Sequence, residues 1–177
     1  MPNPAHPRIR HALTPVCLVA PSSTVAITVV RARAPQPPPR PSLPKVAVDP
    51  QKVRVDDGDT VDIDWGAEGA ETVRILGIDT PEIQHLAHNL PFDQSFGREA
   101  LGFARGAFAV ASRIELLRSA TIDPYGRTLG YLFLDGKNYS ALVVSAGLAA
   151  ESVSFYGDNG LPEPAQEVLD ASKKAPP

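Results

Sequence analysis

Six positions carry the chemistry that this chain can do: Asp59, Arg74, Asp79, Thr80, Glu82 and Arg127. Their types form a hard-oxygen and guanidinium set, with two acidic ligands, a spare carboxylate and two arginines. A hard cation takes carboxylate and carbonyl oxygens. A remaining carboxylate can orient or deprotonate a water, and two guanidiniums can stabilise the extra negative charge on a five-coordinate phosphorus. That combination suits phosphodiester cleavage. Each part also has a plainer reading. Arg74 can be a structural ion-pair partner of Asp79 or Glu82, and Asp57-Gly58 can be an ordinary turn.

The elements that must position these residues follow from periodicity. Val73-Arg74-Ile75-Leu76-Gly77-Ile78 reads as a buried strand, apolar on both faces apart from Arg74, and a guanidinium there needs an anionic partner. Pro81 stops the ladder and holds Thr80 extended, so that Asp79 and Glu82 emerge together at the strand's end. Upstream, Val53 and Val55, and then Val61, Ile63 and Trp65, alternate with polar residues as two more strands. The turn between them, Asp56-Asp57-Gly58-Asp59-Thr60, holds more aspartates than a turn needs, and they repel unless a cation or an arginine collects them. With a turn at Gly66–Gly69, the first half is expected to be a three-strand meander.

His85 and His88 lie in an irregular stretch and read as solvated, since Asn89, Pro91 and Asp93 argue for a loop rather than a metal-binding helix. Ser95 is placed to cap a helix from Phe96 to Ala111, whose Phe96, Ala100, Phe103, Ala104, Ala107 and Phe108 share one face. A short strand at Arg113–Leu117, a turn at Asp123-Pro124-Tyr125-Gly126-Arg127 and an apolar strand at Leu129–Leu134 follow. Tyr139–Ala146 reads as a helix stopped by Gly147, Glu151–Gly160 as a loop, and Pro164–Ser172 as a last amphipathic helix. Three strands, a helix, two strands and further helix describe an α+β domain, mainly β: a five-stranded OB-fold barrel with two to three helices.

Composition bounds the rest. The 177 residues suffice for one well-cored domain. Twelve of the nineteen prolines precede residue 51, which sets residues 1–48 apart as a proline-rich leader or linker and leaves 49–174 as the domain. In that leader Arg8, Arg10 and His11 precede an uncharged run from Ala12 to Val30, the order of a signal segment. Pro15 and Pro21 interrupt it, and Pro35 follows the Ala32-Arg33-Ala34 spacing, so export and a mere leader both stay open. The single Cys17 excludes an intramolecular disulfide and a thiolate cluster. Residues 51–160 hold nine basic against sixteen acidic side chains, which counts against a generic polyanion-binding module. No stable membrane insertion is expected, and the domain is expected to be a monomer.

Asp57-Gly58-Asp59-Thr60-Val61, then Arg74 five residues before Asp79-Thr80-Pro81-Glu82, then Tyr125-Gly126-Arg127, resembles the staphylococcal nuclease (thermonuclease) family in order and spacing. The resemblance covers about residues 51–150. It implies an OB-fold barrel and calcium-dependent nuclease activity on DNA and RNA. Carried over by position, it implies that Asp59, Asp79 and the Thr80 carbonyl bind Ca2+, that Glu82 acts on the attacking water, and that Arg74 and Arg127 clamp the phosphate. It further implies substrate contacts from Tyr125 and Tyr156. Pro124 departs from the lysine frequent in the family, and Phe155 and Tyr156 stand for the aromatic pair after Gly147-Leu148-Ala149. The rival readings are a non-catalytic nuclease-like binding or scaffold domain and an unrelated OB barrel with structural ion pairs.

Overall fold

The structure is a computed structural model that describes residues 44–84 and 90–175. The expectations for residues 1–43 and for His85 and His88 lie outside the described residues. Nine strands and four helices follow in the order β1 (Val46–Val48), β2 (Val53–Val55), β3 (Thr60–Asp64), β4 (Ala70–Ile75), β5 (Ile78–Asp79), α1 (Gly97–Val110), β6 (Ile114–Ile122), β7 (Thr128–Leu134), β8 (Lys137–Asn138), α2 (Tyr139–Ser145), β9 (Ala150–Glu151), α3 (Val153–Tyr156) and α4 (Pro162–Ser172).

The strands curl into a mixed sheet of order β1-β6-β7-β4-β3-β2, with β8 added to β7, a half-barrel of the OB type packed against the helices. β2, β3 and β4 form the expected antiparallel run. The other edge of β4 takes β7 in parallel, Val73 opposite Thr128 and Arg74 opposite Leu129. That pairing joins the two halves of the chain and brings the Tyr125–Arg127 turn beside the strand that carries Arg74.

Alternation in β3 and β4 fills the inside of the sheet with Val61, Ile63, Val73 and Ile75, all essentially inaccessible, against Leu116 and Leu132 from β6 and β7. α1 lays Ala100, Ala104 and Phe108 on this core, with Phe108 5.0 Å, centroid to centroid, from the buried ring of Tyr139. α2 starts at Asn138, whose side chain accepts the Ser140 N–H. Among the described residues no helix is long and apolar enough to cross a membrane.

Several local expectations are corrected. The sheet begins ahead of residue 49, because Val46–Val48 pairs with β6; three residues inside a proline-rich stretch are too few to show a period. α1 is not capped by Ser95: the residue before it is Phe96, in a left-handed conformation (φ 68°) with no side-chain cap, and its ring is exposed rather than part of the apolar face. β6 runs five residues past Leu117, where exposed Ala120–Ile122 and a register shift hide the strand pattern. The Glu151–Gly160 stretch holds the end of β9 and the one-turn α3, and α4 begins two residues early because Pro162 occupies its first turn.

Candidate functional site

The register of β3 on β4 sets Thr60 opposite Arg74, and the Asp59 carbonyl accepts the Ile75 N–H at 2.8 Å. Asp59 is thereby drawn out of the turn and fully buried. A buried carboxylate must be satisfied by donors. Here Oδ2 accepts both the backbone N–H and the hydroxyl of Thr80, each at 2.8 Å, while Oδ1 pairs with Nη1 of Arg74. The other Nη of Arg74 reaches Asp79 Oδ1 at 2.9 Å. One guanidinium thus joins a buried carboxylate to one that is 68% exposed. The ion-pair reading of Arg74 and its placement in the site are compatible in this geometry.

Gly58 serves the site by size. It keeps a negative φ, so the turn does not use the freedom expected of it, but a Cβ there would stand 2.7 Å from the Thr80 hydroxyl. The Tyr139 hydroxyl donates to the Gly58 carbonyl at 2.7 Å and fixes the turn from beneath.

The Tyr-Gly-Arg turn is built on Asp123. Its Oδ1 accepts the N–H groups of Tyr125 (2.9 Å) and Arg127 (2.8 Å), and its Oδ2 pairs with Arg127 Nε at 2.6 Å. Burial works to raise the Asp123 carboxyl, but the Arg127 side chain and the two backbone N–H groups outweigh it and hold it below the usual carboxylate range. The Tyr125 ring is 86% exposed and lies 5.5 Å from the Arg127 guanidinium.

Glu82 follows Pro81 and is held by its backbone. Its N–H donates to Gln94 Oε1 at 2.9 Å, and its carbonyl accepts the Gln94 N–H at 2.8 Å. A cavity of about 610 Å³ lies among Asp56, Asp57, Thr60, Arg74, Glu82, Ile83, Leu90, Tyr125 and Arg127. The three residues expected to be catalytic and one expected substrate contact therefore line one cavity. Asp59, Asp79 and Thr80 are not in that lining but are joined to it through Arg74 and through one another. Tyr156 does not line the cavity. It is exposed on α3 with Phe155, their ring centroids 6.5 Å apart, and β9 ties this segment to the strand of Asp79, Ala150 opposite Asp79.

The oxygens that the family resemblance assigns to a cation, from Asp59, Asp79 and the Thr80 carbonyl, are hard donors, which fits calcium and not a soft metal, although here both Asp59 oxygens are held by Thr80 and Arg74. Among the described residues no three His, Cys, Asp or Glu side chains converge as a metal-binding group. A calcium ion here would thus draw two carboxylates and fill most of its about six to eight positions from carbonyl oxygen and water.

Sequence reasoning missed Asp123, Asp57 and Gln94 as parts of the site. Asp123 was readable, since Asp at the head of a turn commonly accepts the N–H groups that follow it. Asp57 accepts the Asp59 N–H at 2.9 Å, and burial, with the Asp56 charge adding, raises its carboxyl against the opposing pull of Arg74. Gln94 gives no sequence signal, because its partner lies twelve residues away across a loop.

Residues 72–176 match the family described as staphylococcal nuclease homologue. The chain is 36% identical over 107 residues to a thermonuclease of Staphylococcus intermedius and 33% identical over 108 residues to that of Staphylococcus hyicus, covering 60% of this chain and 60% of the relative in each case. It is 31% identical over 133 residues to the SPbeta prophage-derived endonuclease YokF of Bacillus subtilis (strain 168), covering 73% of this chain and 40% of that protein. The chain thus spans about three fifths of the length of the two thermonucleases that it matches.

Proposed function

Because this chain belongs to the family of staphylococcal nuclease homologues, we propose that it is a calcium-dependent nuclease that hydrolyses phosphodiester bonds of DNA, RNA or both. The observation that carries this reading is the one cavity lined by Arg74, Glu82, Arg127 and Tyr125 together. Two guanidiniums lining one cavity fit the non-bridging oxygens of a phosphate and meet the charge that grows on them as water adds to phosphorus. Glu82 accepts the proton of that water, and Tyr125 offers an exposed ring to a base next to the scissile bond. Asp123 sets the direction of Arg127, and Arg74 is set by Asp59 and Asp79.

Asp59, Asp79 and the Thr80 carbonyl would hold calcium, which supplies Lewis-acid polarisation of a phosphoryl oxygen when bound. The relatives support the reading by their names, a thermonuclease and an endonuclease. Tyr156 belongs in this proposal as a contact further along the strand, outside the cavity.

The test is direct. The full chain is incubated with single-stranded DNA and with RNA, with calcium and with excess chelator. Calcium-supported cleavage that stops with chelator is expected, zinc should not replace calcium, and hydrolysis undiminished by chelator would overturn the metal assignment.

A further inference from the structure

Glu82 lies past the end of β5 at Asp79, after Pro81, which cannot continue a ladder. Two hydrogen bonds to its backbone come from a residue twelve positions on. Gln94 meets Glu82 twice, with its side-chain oxygen on the Glu82 N–H and its own N–H on the Glu82 carbonyl. A second tie lies next to the first: the Gln84 N–H donates to Asp93 Oδ1 at 2.8 Å, and the Gln84 amide donates to the Pro91 carbonyl at 2.8 Å. Asp93 in turn pairs with Arg98 in the first turn of α1.

The start of α1 is shaped to the same purpose. The Gly97 N–H donates to the Gln94 carbonyl at 3.0 Å, and a Cβ on Gly97 would run into the Glu82 carbonyl oxygen. The turn into the helix is made by Phe96 at φ 68°, an uncommon conformation for a bulky residue, and the ring gains no burial there. Backbone strain of this kind persists where the surroundings determine it. Here they bring the start of a helix against the Glu82 carbonyl.

We propose that Gln94 is a positioning residue for Glu82. Its side-chain oxygen completes a two-point clamp that transfers the rigidity of α1 to the carboxylate serving the attacking water. This rests on the role given to Glu82 above. A displacement of about 1 Å at a catalytic group is enough to lower a rate by roughly a hundredfold.

The experiment compares Gln94→Met, which keeps the length of the side chain and removes the acceptor, with Gln94→Glu, which keeps an acceptor oxygen. Glu82→Gln is the reference, and turnover, KM and the exchange of the Glu82 amide hydrogen are measured. Gln94→Met should lower kcat by about tenfold or more with KM within about twofold, and the Glu82 amide should exchange at least about tenfold faster. Gln94→Glu should keep both within about threefold of the parent because it retains the acceptor oxygen, whereas a purely steric role would leave Gln94→Met, of the same length, near parental as well. If Gln94→Met keeps parental turnover, or Gln94→Glu falls as far as Gln94→Met, the clamp is overturned while the role of Glu82 stands. If Glu82→Gln keeps parental turnover, the role of Glu82 falls and the clamp falls with it.

Discussion

Replacing Glu71 by Gln tests a polar network outside the cavity. Glu71 lies on β4, and its carboxylate receives four hydrogen bonds: Arg118 Nε at 2.8 Å and Nη2 at 2.6 Å, Trp65 Nε1 at 2.8 Å and Thr128 Oγ1 at 2.7 Å. These donors come from β6, from the turn after β3 and from the first residue of β7, so one side chain joins the elements on both sides of the parallel junction. The bonds from Arg118, with those from Thr128 and Trp65, overcome burial and hold the carboxyl down at about 2, against an ordinary value of 4.5.

A depression of that size corresponds to about 3 kcal/mol at most, and on the order of 2 kcal/mol once partial solvent screening is allowed for. Because the folded-state value lies below the unfolded one, the stabilisation is complete above pH ~4.5, declines as pH falls and is gone below pH ~2. Gln keeps one acceptor and turns an amide NH2 toward the donors. At pH 7 Glu71→Gln should therefore unfold about 2–3 kcal/mol more easily, and the gap should close as pH falls from ~4.5 to ~2. The assay is urea denaturation of both chains at a series of pH values. Comparing the two chains isolates Glu71 from Asp64, Asp93, Asp123 and Asp170, whose carboxyls are also held low. A stability gap of the same size at pH 7 and pH 2 would refute the reasoning.

Other substitutions separate the roles within the site. Arg74→Gln strands the buried Asp59 carboxylate, so it should cost about 3 kcal/mol of stability as well as turnover, whereas Arg127→Gln should lower turnover by about a hundredfold with a small change in melting temperature. Glu82→Gln should lower turnover to the same degree and leave calcium affinity unchanged in a titration, while Asp59→Asn should weaken calcium binding severely. Gly58→Ala should destabilise by about 1–3 kcal/mol, since its methyl group meets the Thr80 side chain, and thermal unfolding would report it.

The strands that carry the site were legible because alternation in Val61–Asp64 and the apolar run at Val73–Ile78 are strong local patterns. Arg74 could be tied to Asp79 or Glu82 because a guanidinium in an apolar strand needs an anion; it meets Asp79, and also Asp59, which was not read as its partner. What stayed hidden depends on partners distant in the chain. The parallel contact of β4 with β7 has no local signature, and neither does the Glu71 network, in which Trp65 reads as one more apolar position of a strand and Arg118 as an ordinary surface residue. The start of α1 was misread because a serine before an apolar stripe is the usual cap, while the chain here spends that corner on the Glu82 carbonyl. Tyr156 was expected from the resemblance, as one of the aromatic pair after Gly147-Leu148-Ala149, and it lies on the one-turn α3 and does not line the cavity.

The pairing of β5 with β9 also sets an order in time. Asp79 lies opposite Ala150, and the Ser152 N–H closes on the Gly77 carbonyl at 2.9 Å, so the strand that ends in the site is completed by residues made some seventy positions later. During synthesis at about 5–20 residues per second, the growing chain carries Asp59, Arg74, Asp79, Glu82 and Arg127 for about 1–5 s before it carries the residues that close this edge. A ribosome-bound chain that ends between residues 127 and 150 has all five side chains and an unfinished edge. The surroundings of Asp79 are thus settled late, only once residues 150–152 have come to lie along the edge of β5.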